Sequence, residues 1–284
     1  MAGERAPGLL SIVATPIGNL EDITLRALTT LRAADVVLAE DTRRSRALLG
    51  HHGIRAQLRA LHAHSKPSEI DRCLAELAEG KRLALITDAG TPLVSDPGAV
   101  LAQRAAAAGT RLETIPGPSA VTAALAVAGV PFDRFRFIGF APRSGPERRA
   151  WLALIAQDAG ASVFFESPVR IGKTLAELVP LLAPERTLAV CRELTKLHEE
   201  VVRGTTAELA ERYAEGARGE ITVVVGAGEL LAETPAADAP SLDDRIRALL
   251  AVGETPRDVA RALARELNLS RREVYARVQT LVGA

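Results

Sequence analysis

Residues 83–98, LALITDAGTPLVSDPG, decide the fold class. The apolar run Leu83 to Ile86 has the length of a buried strand. Thr87-Asp88-Ala89-Gly90-Thr91-Pro92 and Ser95-Asp96-Pro97-Gly98 then break it, and a helical pattern follows. Two other segments repeat this order. Leu9 to Val13 precedes Ala14-Thr15-Pro16-Ile17-Gly18-Asn19-Leu20-Glu21-Asp22, and Arg111 to Thr114 precedes Ile115-Pro116-Gly117-Pro118-Ser119. Strand, small-residue loop and helix in alternation predict an α/β domain with a mostly parallel sheet. In such a sheet ligands bind beyond the carboxyl ends of the strands, where these loops gather. One loop of this kind is a turn; three on one edge predict a lined pocket. Their backbone N–H groups favour a carboxylate or phosphate. Asp88 or Asp96 can accept from an amine or a ribose hydroxyl, and Ser119 is placed to cap the Ala-rich helix after it.

Working outward, Asp35 to Ala39 is a second strand, and the helix after Ser119, nearly all Ala, Val and Leu, is expected to be buried on every face. Gly129-Val130-Pro131 ends it and marks a boundary between domains 8–130 and 131–231. The second block carries strands at Phe135 to Phe140, Ser162 to Glu166, Thr187 to Arg192, Glu200 to Arg203 and Glu220 to Val225. The short connection between the third and fourth of these allows a hairpin, which predicts a mixed sheet. Ala232 to Pro240 is a linker. Residues 241–284 are helical, with Ser241 capping one helix, Pro256 opening a second and Leu267-Asn268-Leu269-Ser270 turning into a third; this resembles a helix-turn-helix.

Composition narrows the function classes. The 284-residue chain has a formal net charge of zero, which argues against wholesale polyanion binding and leaves local patches. Its 2 cysteines, Cys73 and Cys191, make neither a disulfide framework nor a zinc pattern. His51-His52 and His62-Ala63-His64 lack a third ligand at useful spacing, so no metal is expected. Residues 1–7 are too short for a signal peptide, and the longest small-apolar stretch is too short to span a membrane, so a cytoplasmic chain is expected. Ile171-Gly172-Lys173-Thr174 imitates the end of a phosphate-binding loop, but Ser167 stands where its first Gly belongs. Between Arg26 and Lys66 eight Lys/Arg face three acids, with Arg43, Arg44 and Arg46 just beyond the strand that ends at Glu40. Arg143, Arg148 and Arg149 flank a second loop. Such clusters are often only solvated faces; beside a cleft they suit RNA phosphates.

Seven stretches together carry a family resemblance: ATPIGNLEDIT (14–24), ADVVLAEDTRRS (34–45), TDAGTPLVSDPG (87–98), IPGPSAVTAAL (115–125), FFESPVRIGKTL (164–175), CRELTKLHEEVVRGT (191–205) and GEITVVVG (219–226). The chain resembles the bacterial methyltransferases that modify the ribose 2′-oxygen of a cytidine in 16S ribosomal RNA. These are S-adenosylmethionine-dependent enzymes of the tetrapyrrole-methylase superfamily. The resemblance implies two α/β domains with the cofactor in the cleft between them, a homodimer, a small helical tail, and 16S rRNA in the assembled small subunit as substrate. Carried across, Thr15, Pro16, Gly18 and Asn19 border the methyl-transfer side. Asp88, Ala89, Gly90, Thr91, Pro92, Ser95, Asp96, Pro97 and Gly98, with Pro116, Gly117, Pro118, Ser119 and Ala120, hold the methionine and ribose portions. Phe165, Glu166, Glu220, Ile221 and Thr222 line the adenine side. A ribose hydroxyl is a weak nucleophile, so a general base or alkoxide-stabilising group is expected; Glu40, Asp41, His64 and Lys196 are the polar candidates. Arg43 is placed to fix a phosphate beside the target. The rival readings are another enzyme of the superfamily, acting on a tetrapyrrole or a diphthamide precursor, and a non-catalytic nucleic-acid binder working through its tail.

Overall fold

The computed structural model describes residues 8–62, 65–94, 96–230, 242–251, 254–266 and 270–282. The chain divides into two compact units, Met1–Leu231 and Ala232–Ala284. The first contains two five-stranded sheets.

The first sheet comprises β1 (Leu9–Val13), β2 (Val36–Ala39), β3 (Leu58–Ala60), β4 (Arg82–Leu85) and β5 (Arg111–Ile115), all parallel, in the order β3-β2-β4-β1-β5. Period-two alternation sends Leu10, Leu38, Leu83 and Leu85 to one face and Val13, Val37, Ala84 and Ile86 to the other, and both faces are packed. The edge strand β3 escapes the sequence reading because Leu58-Arg59-Ala60 offers three residues and no apolar run. Around β4 and β1 the strand order reverses, so the loops leaving them part and open a crevice at the carboxyl edge.

The second sheet is mixed, as expected. It comprises β6 (Phe135–Phe140), β7 (Ala161–Glu166), β8 (Thr187–Arg192), β9 (Glu200–Thr205) and β10 (Ile221–Val225), ordered β6-β7-β10-β8-β9. Only β6 and β7 run parallel; β8 and β9 form the expected antiparallel pair. One face, with Phe164, Val190 and Val223, packs beneath helices that include Ile171–Leu178. The other, with Val163, Ala189, Cys191 and Val224, receives the Ala-rich helix Ala120–Ala128.

That helix corrects one expectation. Val121, Ala124, Leu125 and Ala128, at spacings of three and four, are buried, whereas Thr122, Ala126 and Val127 face outward, Val127 at 37% exposure. Its apolar side chains outnumber the contacts available, so burial follows the stripe that meets the second sheet and not composition. Lys173 and Thr174 lie inside the helix Ile171–Leu178, and Thr174 is fully buried, which removes the phosphate-loop imitation.

The second unit has helices Leu242–Ala251, Pro256–Glu266 and Arg271–Val282 around a core of Ile246, Val259, Leu263, Val274 and Val278. Pro256 opens its helix as expected, and Arg277 clamps Asp243 through Nε–Oδ1 and Nη2–Oδ2 contacts of 2.8 and 2.6 Å. Ser241 and Leu267-Asn268-Leu269, expected to cap and to turn, lie outside the described residues. Among the described residues no helix is long and apolar enough to cross a membrane.

Candidate active site

The carboxyl edge of the first sheet is knitted by contacts between its loops. Thr15 and Gly90 exchange backbone hydrogen bonds, with N···O distances of 2.9 and 3.0 Å, joining the loops after β1 and β4. The Thr15 hydroxyl also donates to the Thr87 carbonyl at 3.1 Å. Thr91 Oγ1 donates to the Pro118 carbonyl at 3.2 Å, bringing in the loop after β5. The Asp41 N–H donates to Asp88 Oδ1 at 3.0 Å, bringing in the end of β2. Gly90 sits at φ +86°, a conformation that side-chain-bearing residues rarely adopt, with Ile17 Cγ2 at 3.4 Å from the place of a β-carbon.

A second knot joins this edge to the mixed sheet. The Asn19 N–H donates to Thr195 Oγ1 at 3.1 Å, and a β-carbon on Gly18 would lie 2.4 Å from Lys196 Cγ, so only glycine lets the loop after β1 cross residues 194–196. Three non-glycine residues among those described have positive φ: Leu93 (+72°), Glu193 (+52°) and Thr195 (+66°). Each conformation of this kind costs about 1–3 kcal/mol. All three stand in the loops after β4 and β8.

Between these edges lies a cavity of about 480 Å³, within the range of small-ligand sites. Asp88, Ala89, Gly90, Thr91, Asp96, Ser119 and Ala120 line it from the first sheet, and Phe165, Glu166, Glu220, Ile221 and Thr222 from the second. Thr15, Pro16, Gly18, Asn19, Pro92, Pro97, Gly98, Pro116, Gly117 and Pro118 are absent from the lining; they belong to the loops that carry it. Gly98 occupies the N-cap of the helix Ala99–Ala107, at φ +109°. Ser119 holds the N-cap position of its helix, but its side chain makes no capping bond; its carbonyl accepts from the Ala123 N–H instead. That corrects the capping expectation and leaves the hydroxyl at the cavity wall. Ser95 and His64 lie outside the described residues.

Strand alternation separates the second-sheet residues. Thr222 pairs with Phe165 on one side and Cys191 on the other, so all three share one face. Glu166 and Ile221, also paired, point their side chains to the opposite face. The Glu166 side chain is 0% exposed and satisfied by Arg170 Nη2 at 2.6 Å, Thr174 Oγ1 at 2.5 Å and the Ser167 N–H at 2.6 Å. Sequence reasoning missed Phe140, whose ring centroid lies 5.1 Å from that of Phe165, with Phe137 at 5.0 Å on another side. A register shift between Phe137 and Phe140 re-aims the strand end there. It also missed Ile17, Val94, Val121, Cys191 and Leu194, apolar lining without a chemical signature.

Four carboxylates crowd the first-sheet side. Burial pushes Asp96 up to about 6, with the charges of Glu40 and Asp88 adding to the shift. Glu40 is raised in the same direction, by burial first and then by Asp88. Asp41 differs: hydrogen bonds from Arg43, at 3.1 Å from Nε and 2.8 Å from Nη2, bring it down to about 2. Arg44 lines the cavity itself, with Nη1 3.4 Å from Asp88 Oδ2. Lys196 Nζ contacts Glu193 Oε1 at 2.8 Å and Glu220 Oε2 at 3.1 Å. Desolvation works against its charge, but these two hydrogen bonds outweigh it and raise its pKa.

The six expected RNA-facing arginines fall into different surroundings. Arg43, Arg46, Arg143 and Arg149 are exposed, Arg44 is shared with the cavity, and Arg148 is buried. Its guanidinium serves Glu177 Oε2 at 2.7 Å, the Pro142 carbonyl at 2.7 Å and Thr174 Oγ1 at 2.8 Å. Arg148 therefore anchors the loop and is not available to RNA. Cys191 is buried on its strand, as expected, and burial pushes its thiol up to about 11. Among the described residues no group of three or more His, Cys, Asp and Glu could hold a metal.

Residues 9–210 match the family model described as Tetrapyrrole (Corrin/Porphyrin) Methylases. The chain is 48% identical to ribosomal RNA small subunit methyltransferase I of Mesorhizobium japonicum over 80% of this chain and 78% of that one. To the Xylella fastidiosa protein of the same name it is 42% identical, over 95% of this chain and 98% of that one. Among solved structures it is similar to uroporphyrin-III-C-methyltransferase from Thermus thermophilus, with a TM-score of 0.56 and 25% identity over 77% of this chain and 94% of that one. A diphthine synthase shares the fold at a TM-score of 0.59 and 18% identity, over 77% and 90% of the two chains. The chain belongs to the tetrapyrrole (corrin/porphyrin) methylase family.

Proposed function

We propose that this protein transfers the methyl group of S-adenosylmethionine to the ribose 2′-oxygen of a cytidine in 16S ribosomal RNA. The observation that carries the reading is a cavity walled by two sheets, in a chain that matches small-subunit RNA methyltransferases along nearly its whole length. The cofactor fits the lining. Asp88 and Asp96 are carboxylates for its cationic and hydroxyl groups, and Gly90 gives the wall a turn at φ +86°. Phe140 and Phe165, their rings tilted by 59° to each other, give an aromatic wall for a purine. When bound, it supplies an electrophilic methyl group on a sulfonium.

The protein's own groups do the rest. Positioning is the largest task, since methyl transfer needs an in-line approach. The cross-linked loops at Thr15–Gly90 and Asn19–Thr195 hold the two walls for it. Glu40 is the group to take the proton from the ribose hydroxyl: it follows β2 beside Asp88 and Arg44 of the cavity wall, among the described residues no arginine clamps it as Arg43 clamps Asp41, and burial raises its pKa. Asp41 is the weaker base, held by Arg43, and Lys196 stays protonated between two carboxylates, a fixed positive charge beside the cavity.

The acceptor is RNA in the assembled small subunit, since a chain of zero net charge has little affinity for naked RNA. Arg43, Arg44, Arg143 and Arg149 contribute phosphate contacts. The protein works in the cytoplasm as a homodimer, with two α/β domains (8–130 and 131–231) and the helical unit as an accessory to docking. Transfer of label from methyl-labelled S-adenosylmethionine to unmodified small subunits, followed by alkaline hydrolysis, tests this. Alkali cleaves through a free 2′-hydroxyl, so a labelled, alkali-resistant dinucleotide at one cytidine is the expected result. Label that alkali releases as mononucleotides, or no transfer at all, overturns the assignment of the acceptor oxygen.

A further inference from the structure

Seven arginines lie between Arg26 and Arg59, and five of them are engaged. Arg26 donates to the Thr114 carbonyl, Arg32 to that of His52, Arg43 to Asp41, and Arg59 to Glu76; Arg44 pairs with Asp88. Arg46 and Arg55 are the exceptions: among the described residues neither guanidinium has a hydrogen-bond or ion-pair partner, and both are exposed. These two border the same hollow, of about 510 Å³, between the helix Thr42–His51 and the residues leading into β3.

The helix itself is built against its own electrostatics. Thr42–His51 contains three arginines in its first half and no acid. Cations near a helix N-terminus oppose the macrodipole. Arg43 and Arg46, at i and i+3, are neighbours on its surface. Asp41 at the N-cap answers Arg43 only. Gly50, inside the helix, has nothing within 4 Å of a would-be β-carbon, so the hollow stays open there although glycine is a poor helix former. Leu49 and Ile54 give it a buried apolar floor. Two unpaired guanidiniums over an apolar floor match a sugar–phosphate unit.

We infer that this hollow is a phosphate-binding subsite for the RNA strand that carries the acceptor ribose, gripped by Arg46 and Arg55. The inference rests on the RNA-methyltransferase reading above. The N-cap of the helix is Asp41, whose N–H is bonded to Asp88 at the main cavity, and the ten residues of the helix run about 15 Å. RNA is led from the cavity mouth along the arginine face of the helix and into the hollow.

The test is methyl transfer to unmodified small subunits by wild type, Arg46→Ala, Arg55→Ala and the double variant, each across a salt series. Removing each arginine is expected to raise KM for subunits about threefold to tenfold and to lower the slope of log KM against log salt by about one. Kcat is expected to move less than KM, and the donor Kd and melting temperature to stay at wild-type values. Arg46→Lys is expected to restore the salt slope but not the full affinity, because an ammonium keeps the charge and loses the planar fork. Wild-type transfer with KM and slope unchanged in the double variant overturns the subsite alone. No transfer by wild-type protein that binds the donor overturns the functional reading, and the RNA subsite with it.

Discussion

The first sheet meets the cavity with loops, and the second meets it with the ends of strands. On the first side the contacts are backbone bridges and carboxylates: Thr15 with Gly90, Asp88 with the Asp41 N–H, and Asp96 among like charges. On the second they are alternating side chains, with Phe165, Thr222 and Cys191 toward the cavity and Glu166 and Ile221 away from it. A loop edge can place polar groups and backbone donors at any angle, which suits the charged amino-acid end of a ligand. A strand edge offers every second residue on a flat wall, which suits a ring. On the function we propose, the methionine end of the donor belongs against the first sheet and its adenine against the second.

The most severe way to break this division is Gly90→Val, which forces a β-branched residue into φ +86° beside Ile17. Titration calorimetry is expected to show the Kd for S-adenosylmethionine raised a hundredfold or more; a change below threefold removes the loop wall from the donor site. Next comes Glu40→Gln, expected to lower kcat by about 10²–10⁴ while the donor Kd stays within twofold, with Asp41→Asn losing less than tenfold. Equal losses in the two would deny the contrast between a carboxylate free to take a proton and one held by arginine.

Two neighbours on β7 sharpen the strand side. Phe165→Ala is expected to weaken donor binding about tenfold, near 1.4 kcal/mol, with little change in melting temperature beyond the lost packing. Glu166→Ala is expected to do the reverse. It leaves Arg170 without its carboxylate and lowers stability by about 3–5 kcal/mol, read as a falling melting temperature. The smallest effect concerns pH. Asp96 has its pKa raised to about 6, so its charge is disfavoured in the fold. Stability from this group is present below its ordinary pKa near 4 and is lost as pH rises through 6. Asp96→Asn should therefore raise the melting temperature at pH 8 and not at pH 4. Cation binding runs the other way, since only the ionised carboxylate attracts a sulfonium or amine. Donor affinity is expected to fall severalfold from pH 7.5 to 5.5 in wild type and to stay flat in the variant.

The loop wall was legible because its signal is local: Gly and Pro after a short apolar run mark a strand end wherever they occur. What was not legible depends on direction. Phe165 and Glu166 are adjacent in sequence, and only the register with β10 tells which faces the ligand. Phe140 reaches the wall beside a register shift that no composition predicts. Arg148 does not differ in sequence from its neighbours Arg143 and Arg149; Glu177 and Thr174, far along the chain, engage its buried guanidinium. Arg44 was expected on the RNA side and also lines the cavity, because Asp88 from another strand draws it in. The Ala-rich helix kept one face open because a stripe, and not an average, chooses what packs.

The most direct test of the division of labour is a crystal structure of the protein with S-adenosylhomocysteine. The adenine is expected against Phe165 and Phe140, and the amino-acid end against Asp88, Gly90 and Ser119. A ligand bound the other way round, or outside the two walls, would contradict it.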